Sequence, residues 1–227
     1  MRLQPLLYLV GMLAALLPLA ACGVPPEFTN EPAAEAVPYD GRLLGGWYST
    51  PKGTDHREPY TYVLQIASAG PRTISVVATW TGKLGLESSE EEQAWLKATG
   101  HAIRVGSDVY YSFQRENGIG SDYTGVGERP GYVILRAEIL KDDTLILHFM
   151  NAHFVIHPLI ESGRLHGRDV TCVQPCATDG NSSAAYTLVD DSPDEIAWLL
   201  QAIPPELLFG DSFGPFHRYG GPSPSTQ

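Results

Sequence analysis

The sequence predicts a mainly β domain, an antiparallel up-and-down barrel of about eight strands with a C-terminal α-helix. Three observations predict it: apolar residues that recur with a period of two, turn residues spaced as in a meander, and one well-capped amphipathic stretch near the end. Tyr60, Tyr62, Leu64 and Ile66 alternate with Thr61, Val63 and Gln65; Ile74, Val76, Ala78 and Trp80 alternate with Thr73, Ser75, Val77 and Thr79; Val109, Tyr111 and Phe113 alternate with Tyr110, Ser112 and Gln114. Strands with this pattern bury one face. The clearest hairpin sets Val133, Leu135, Ala137 and Ile139 against Leu145, Leu147 and Phe149 across a turn at Asp142-Asp143. Weaker strands are expected at Leu44 to Tyr48, Trp95 to Thr99, Ala102 to Val105 and Tyr186 to Val189, with turns at Ser68 to Pro71, Gly106 to Asp108 and Gly118 to Gly131. Closing such a series into a barrel removes its exposed edges.

The helix is read from its cap. Ser192 precedes Pro193, and Glu195 stands three residues after the serine, which is a capping box. Ile196, Leu199, Leu200 and Ile203 then form one apolar stripe, made to lie against the barrel wall or to close one end. Ala152 to Ser162 suits either a kinked helix or a short one that starts near Pro158, because proline is tolerated only in a first turn.

The chain opens with Arg2, an apolar run from Leu6 to Leu19, and small residues at Ala20 and Ala21, the layout of a secretory signal too short for a comfortable span. Leu19-Ala20-Ala21-Cys22 resembles the lipobox of bacterial lipoproteins. The resemblance implies a signal peptide over residues 1–21, diacylglyceryl transfer to the Cys22 sulfur, cleavage before it and acylation (palmitate) of the new terminus. Several acyl chains hold a protein stably where one does so only marginally. Gly23, in place of Asp, follows the cysteine. Under the sorting rule of Gram-negative lipoproteins that points to the outer membrane of the cell envelope, with the domain facing the periplasm.

Residues 22–41 are rich in Pro, Ala and Glu and read as the lipidated cysteine followed by a flexible tether. Residues 42–203 form the barrel domain. Residues 204–227, broken by Pro, Gly and Ser, read as a disordered tail. Loss of residues 1–21 removes Arg2 and no acid, leaving 14 basic against 26 acidic residues, a charge of −12. A chain this acidic is not drawn to phosphate backbones, so no nucleic-acid partner is expected.

Gly45-x-Trp47-Tyr48 at the head of the first strand resembles the G-x-W signature of lipocalins and the wider calycin group, eight-stranded barrels with a C-terminal helix. The resemblance implies that Gly45 permits a tight start to the strand and that Trp47 plugs the barrel floor. Ser121 to Gly125 (SDYTG) is similar to the family's second motif, T-D-Y, whereas the late-strand arginine that stacks on the Trp has no evident counterpart by spacing.

Cys172 and Cys176, spaced C-x3-C in an oxidising compartment, are expected to be bonded to each other, with thiol exchange or copper carriage as alternative chemistry for that spacing. Gly210 to Gly214 (GDSFG) fits G-x-S-x-G, but no strand, helix and downstream acid frame Ser212 as a nucleophile. His153, His157 and Glu161 follow a helical spacing that could line metal ligands, yet Phe154 stands where H-E-x-x-H needs Glu, and a surface or packing pair is expected. Asn181-Ser182-Ser183 is a chance match to a glycosylation acceptor in a bacterial lipoprotein. No nucleophile, base and orienter assemble, so neither an enzyme nor a cofactor or metal is expected. The expectation is a lipid-anchored envelope protein that binds a small apolar ligand or lipid in its barrel; the alternative is a non-enzymatic scaffold or interaction module for an envelope protein.

Overall fold

The computed structural model describes residues 25–49, 61–81, 96–115, 131–171 and 185–219. Eight antiparallel strands close a barrel: β3 (Gly45–Ser49), β4 (Thr61–Ser68), β5 (Thr73–Thr81), β6 (Leu96–Val105), β7 (Asp108–Arg115), β8 (Tyr132–Ile139), β9 (Leu145–Phe149) and β12 (Asp211–Tyr219). Each pairs with the next, and β12 completes the ring by lying between β9 and β3. The period-two reading sets the inward face. Tyr62, Leu64 and Ile66 of β4, Ile74, Val76 and Ala78 of β5, Tyr111 and Phe113 of β7, and Leu135, Ala137 and Ile139 of β8 share one core with Leu145, Leu147 and Phe149 of β9. The 133–149 hairpin has the expected register, Leu135 opposite Phe149, Ala137 opposite Leu147 and Ile139 opposite Leu145; Asp143 takes the left-handed turn position at φ 62°.

The closing strand overturns the reading of residues 204–227 as a disordered tail. Gly214 and Pro215 interrupt its period because they form a bulge opposite β9, with Gly214 at φ +127°, a conformation that side chains rarely adopt. The extra residue turns both Phe213 and Phe216 to the inner core, where strict alternation would send one of them outward. A second correction concerns the ends of the domain. Residues 25–41 were expected to be a tether, but β1 (Glu27–Phe28) and β2 (Glu35–Val37) are strands, and Phe28 and Val37 are buried. β1 pairs with β8, and β2 with the last part of β6, which is one strand across the two weaker segments expected there. The folded unit thus reaches at least from Pro25 to Tyr219.

Residues 150–210 leave the end of β9 and return to the start of β12, forming a layer outside the barrel. A π-helical turn (Ala152–Ile156) runs into α1 (His157–Glu161), with Pro158 in its first turn. β10 (Gly167–Thr171) pairs with β11 (Ala185–Val189), which runs parallel to β1. α2 (Pro193–Ala202) starts from the capping box of Ser192 and Glu195, and α3 (Pro205–Leu208) follows. The helix therefore precedes the closing strand. Its buried residues, Ile196, Leu199 and Leu200, meet Ile103 and Val105 of β6, Tyr110 of β7 and Phe28 in a second core on the outer face of the barrel. The edges of β3 and β9 are covered by β12 alone. A chain ending at Gly210 is expected to lose its cooperative thermal transition and to aggregate; circular dichroism melts and size-exclusion chromatography check this.

Candidate functional site

The two ends of the barrel differ. At one end β4–β5, β6–β7 and β8–β9 are joined by tight turns at 69–72, 106–107 and 140–144. The segment from β2 to β3 crosses that end. Tyr39 Oη donates to Ser68 Oγ at 2.8 Å, Arg72 donates to the Ala36 carbonyl at 2.9 Å, and Val37 and Leu43 enter the inner core. Trp47 is 0% exposed and donates through Nε1 to the Leu43 carbonyl at 2.8 Å.

Arg218 of β12 lies opposite Trp47 in the β3 ladder, with its guanidinium carbon 4.4 Å from the centre of the indole ring. It donates to the carbonyls of Leu44 (2.9 Å) and Arg42 and to Asp143 Oδ2 (3.0 Å). This is the arginine over the tryptophan for which spacing showed no counterpart. Its strand was read as tail, and only the ring closure brings it to Trp47. Gly45 starts β3 at φ +127°, and a Cβ there would stand 3.1 Å from Arg218 Nη1. At the opposite end β3, β5 and β7 finish and β4, β6 and β8 begin; segments 50–60, 82–95 and 116–130 lie outside the described residues, as do Ser121 to Gly125, Asn181 to Ser183, Cys22, Cys172 and Cys176.

Burial of the apolar inner face is uneven. Along β9, β12 and β4 it falls from Leu145, Phe216 and Leu64 to half-buried Leu147, Phe149, Phe213 and Tyr62, whereas Ala78, Ala98, Phe113 and Leu135 on the other strands stay buried. Phe213 organises the aromatics. Its ring is 4.9 Å from Tyr62 and 4.9 Å from Phe216, edge to face, and 6.2 Å from Phe149. Ala78, Ala98, Gly100 and Ala102 make the facing β5–β6 wall small, and the Phe113 ring lies over Gly100, where a Cβ would come within 2.6 Å of it. Among the described inward side chains the one charge is Arg218, at the closed end. Burial raises the Tyr111 pKa above its ordinary value. Such a surface can hold apolar or aromatic groups and offers no described group for acid–base chemistry.

The remaining candidates have other work. Ser212 lies in β12 opposite His148, whose Nε2 is 3.3 Å from Glu138 Oε2, but no hydrogen bond joins Ser212 to His148 among the described residues. A strand in place of an elbow also commits the local amides to the ladder. His157 Nε2 is 2.7 Å from Thr187 Oγ1 and 3.2 Å from Asp169 Oδ1, which ties the π-helical turn to β10 and β11; its ring is 6.2 Å from that of His153, and Glu161 is exposed.

His166, Asp191 and Glu195 have ligand atoms within 4.8 Å of one another, a set that sequence spacing did not single out. Both oxygens of buried Asp191 accept from His166, at Nδ1 (2.8 Å) and at its backbone amide (2.9 Å), while Glu195 accepts from Ser192 in the capping box. The N-terminus of α2 adds positive potential. These contacts suit a helix cap more than a cation.

No protein-family model, curated protein or solved structure matches this chain.

Trp47→Ala is expected to cost about 3 to 5 kcal/mol in urea melts, because the cavity opens under a covered floor. Gly45→Val should also destabilise, since it meets both a forbidden φ and Arg218. A second expectation follows from the hydrogen bond to Asp191, which raises the His166 pKa. The pair's stabilisation is present below the ordinary histidine value of about 6.5 and is lost as pH rises through the elevated folded value. An NMR titration should place the His166 midpoint above that value and return it to the ordinary range in Asp191→Asn.

Proposed function

We propose that this protein is a lipid-anchored barrel of the bacterial cell envelope that takes a small apolar ligand or a lipid chain into the open half of its barrel. The observation that carries the reading is the fall in burial along the β9, β12 and β4 part of the inner face, from Leu145, Phe216 and Leu64 to half-buried Leu147, Phe149, Phe213 and Tyr62, three of which are aromatic and meet ring to ring. A face built only for stability would be covered throughout, whereas binding sites are concave, apolar and aromatic. Kinship with lipocalins is part of the proposal. It is supported by the strand order, by Gly45 and Trp47, and by Arg218 stacked on the indole. The envelope address rests on Leu19 to Cys22, which also makes the protein a candidate for the outer membrane. Among the described residues no helix is long and apolar enough to cross a membrane.

The neutral fluorophore N-phenyl-1-naphthylamine tests the ligand site. Its emission should rise on mixing with the protein, and Phe149→Ala or Phe213→Ala should weaken binding by roughly two- to tenfold, the worth of one aromatic contact. Ala137→Phe, which adds a ring to the inner face, should abolish binding while the thermal melt stays cooperative. A parent protein that leaves the fluorophore dark has no accessible apolar site, and the barrel is then a scaffold for an envelope protein.

A further inference from the structure

Only Gly23 and Val24 separate Cys22 from Pro25, where the described chain begins. Three residues reach at most about 11 Å. The headgroup region of one leaflet is itself about 5 to 8 Å deep. A cysteine whose acyl chains lie in the hydrocarbon therefore keeps Pro25 near headgroup level. Nor can the next residues act as a leash: Pro26 and Phe28 are buried, and β1 is held between Leu188–Val189 of β11 and Tyr132 of β8.

The layer that holds β1 also carries the two most exposed large apolar side chains among the described residues, Phe154 at 73% and Leu207 at 60%. Asn151 ties both to one place. Its Oδ1 accepts from the Phe154 amide at 2.8 Å, and its own amide donates to the carbonyl of Leu208, the neighbour of Leu207, at 2.8 Å. One turn beyond Phe154, His157 reaches Thr187 of β11, next to Leu188, which is the partner of Glu27. The chain exit and the two apolar side chains are thus tied into one layer by contacts between neighbouring residues. Its charge rules out attraction to anionic lipid as the source of contact, because the described residues 151–171 and 185–210 hold seven Asp and Glu against two Arg.

We propose that this outer layer rests on the bilayer that holds Cys22, with Phe154 and Leu207 entering the interface and the β3–β12 wall of the barrel facing away. The proposal rests on the acylation of Cys22 and adds an orientation to it. Apolar side chains of an interfacial element sit about 5 to 10 Å into the headgroup–acyl boundary, which is within reach of a layer held this close.

The test uses the full chain made with its anchor and reconstituted into phosphatidylcholine vesicles whose acyl chains carry bromine near the headgroup. Phe154→Trp and Leu207→Trp add reporters to the four native tryptophans; Tyr219→Trp, at a site 57% exposed on β12 across the barrel, is the control. After subtraction of the parent signal, brominated lipid should reduce the emission of the two reporters by about half, as for side chains at the interface, and leave the control unchanged. Phosphatidylglycerol added to the vesicles should not deepen the quenching. If neither reporter is quenched, or the control is quenched equally, the orientation is overturned while acylation, read from the mass of the N-terminal peptide, stands. An N-terminal peptide without acyl mass overturns both.

Discussion

Arg218 joins four parts of the molecule through one guanidinium. It belongs to the last barrel strand, stacks on Trp47 of the first, donates to the carbonyls of Arg42 and Leu44 in the segment over the closed end, and pairs with Asp143 in the β8–β9 turn. A barrel has no edges only if its first and last strands meet. Here they meet through a short ladder of His217, Arg218 and Tyr219 on β3, reinforced at its centre by the cation over the indole. The floor, the ring closure and the register of the final strand are thus held by one contact. Gly45 leaves room for it, since any Cβ there would press on the guanidinium.

The barrel wall is shared between two cores. Tyr110 and Tyr111 are consecutive, yet both are buried: Tyr111 faces the barrel interior, and Tyr110 faces outward, where it stacks on Phe209 at 5.3 Å and meets α2. Desolvation on that outer side pushes the Tyr110 pKa up to about 12. Because β6, β7 and β8 are covered on both faces, stability can be drawn from the outer core and the closed floor. The half-buried residues Tyr62, Leu147, Phe149 and Phe213 of the interior are then not required to complete either core.

Some elements were legible because their signals are local. The capping box of Ser192 and Glu195, the hairpin at Asp142-Asp143 and the alternation along 62–66, 74–78 and 111–113 each depend on residues within a turn or a strand of one another. The tether and tail readings failed for a shared reason. Residues 25–41 and 204–219 have a composition that cannot form structure alone, but each is stabilised by partners far along the chain: β1 by β11, β2 by β6, and β12 by β3 and β9. The bulge at Gly214-Pro215 hid the inward face of β12, since proline and glycine read as breakers until a two-against-one pairing accommodates them.

The candidate site divides along the same line. From residues alone came the apolar, aromatic character of the inner face, the G-x-W start of the first strand, a net charge of −11 that gives no attraction to phosphate backbones, and the cysteine that would bear an anchor. Tertiary structure decided the rest. It chose which sequence-distant strand closes the ring, brought Arg218 onto Trp47, set Phe213 among Tyr62, Phe149 and Phe216, and laid the segment from β2 to β3 over one end. Periodicity specifies which face of a strand is buried, because side-chain direction is a property of the backbone. It cannot specify which strands meet, because pairing between segments more than a hundred residues apart is settled only by the closure of the whole sheet.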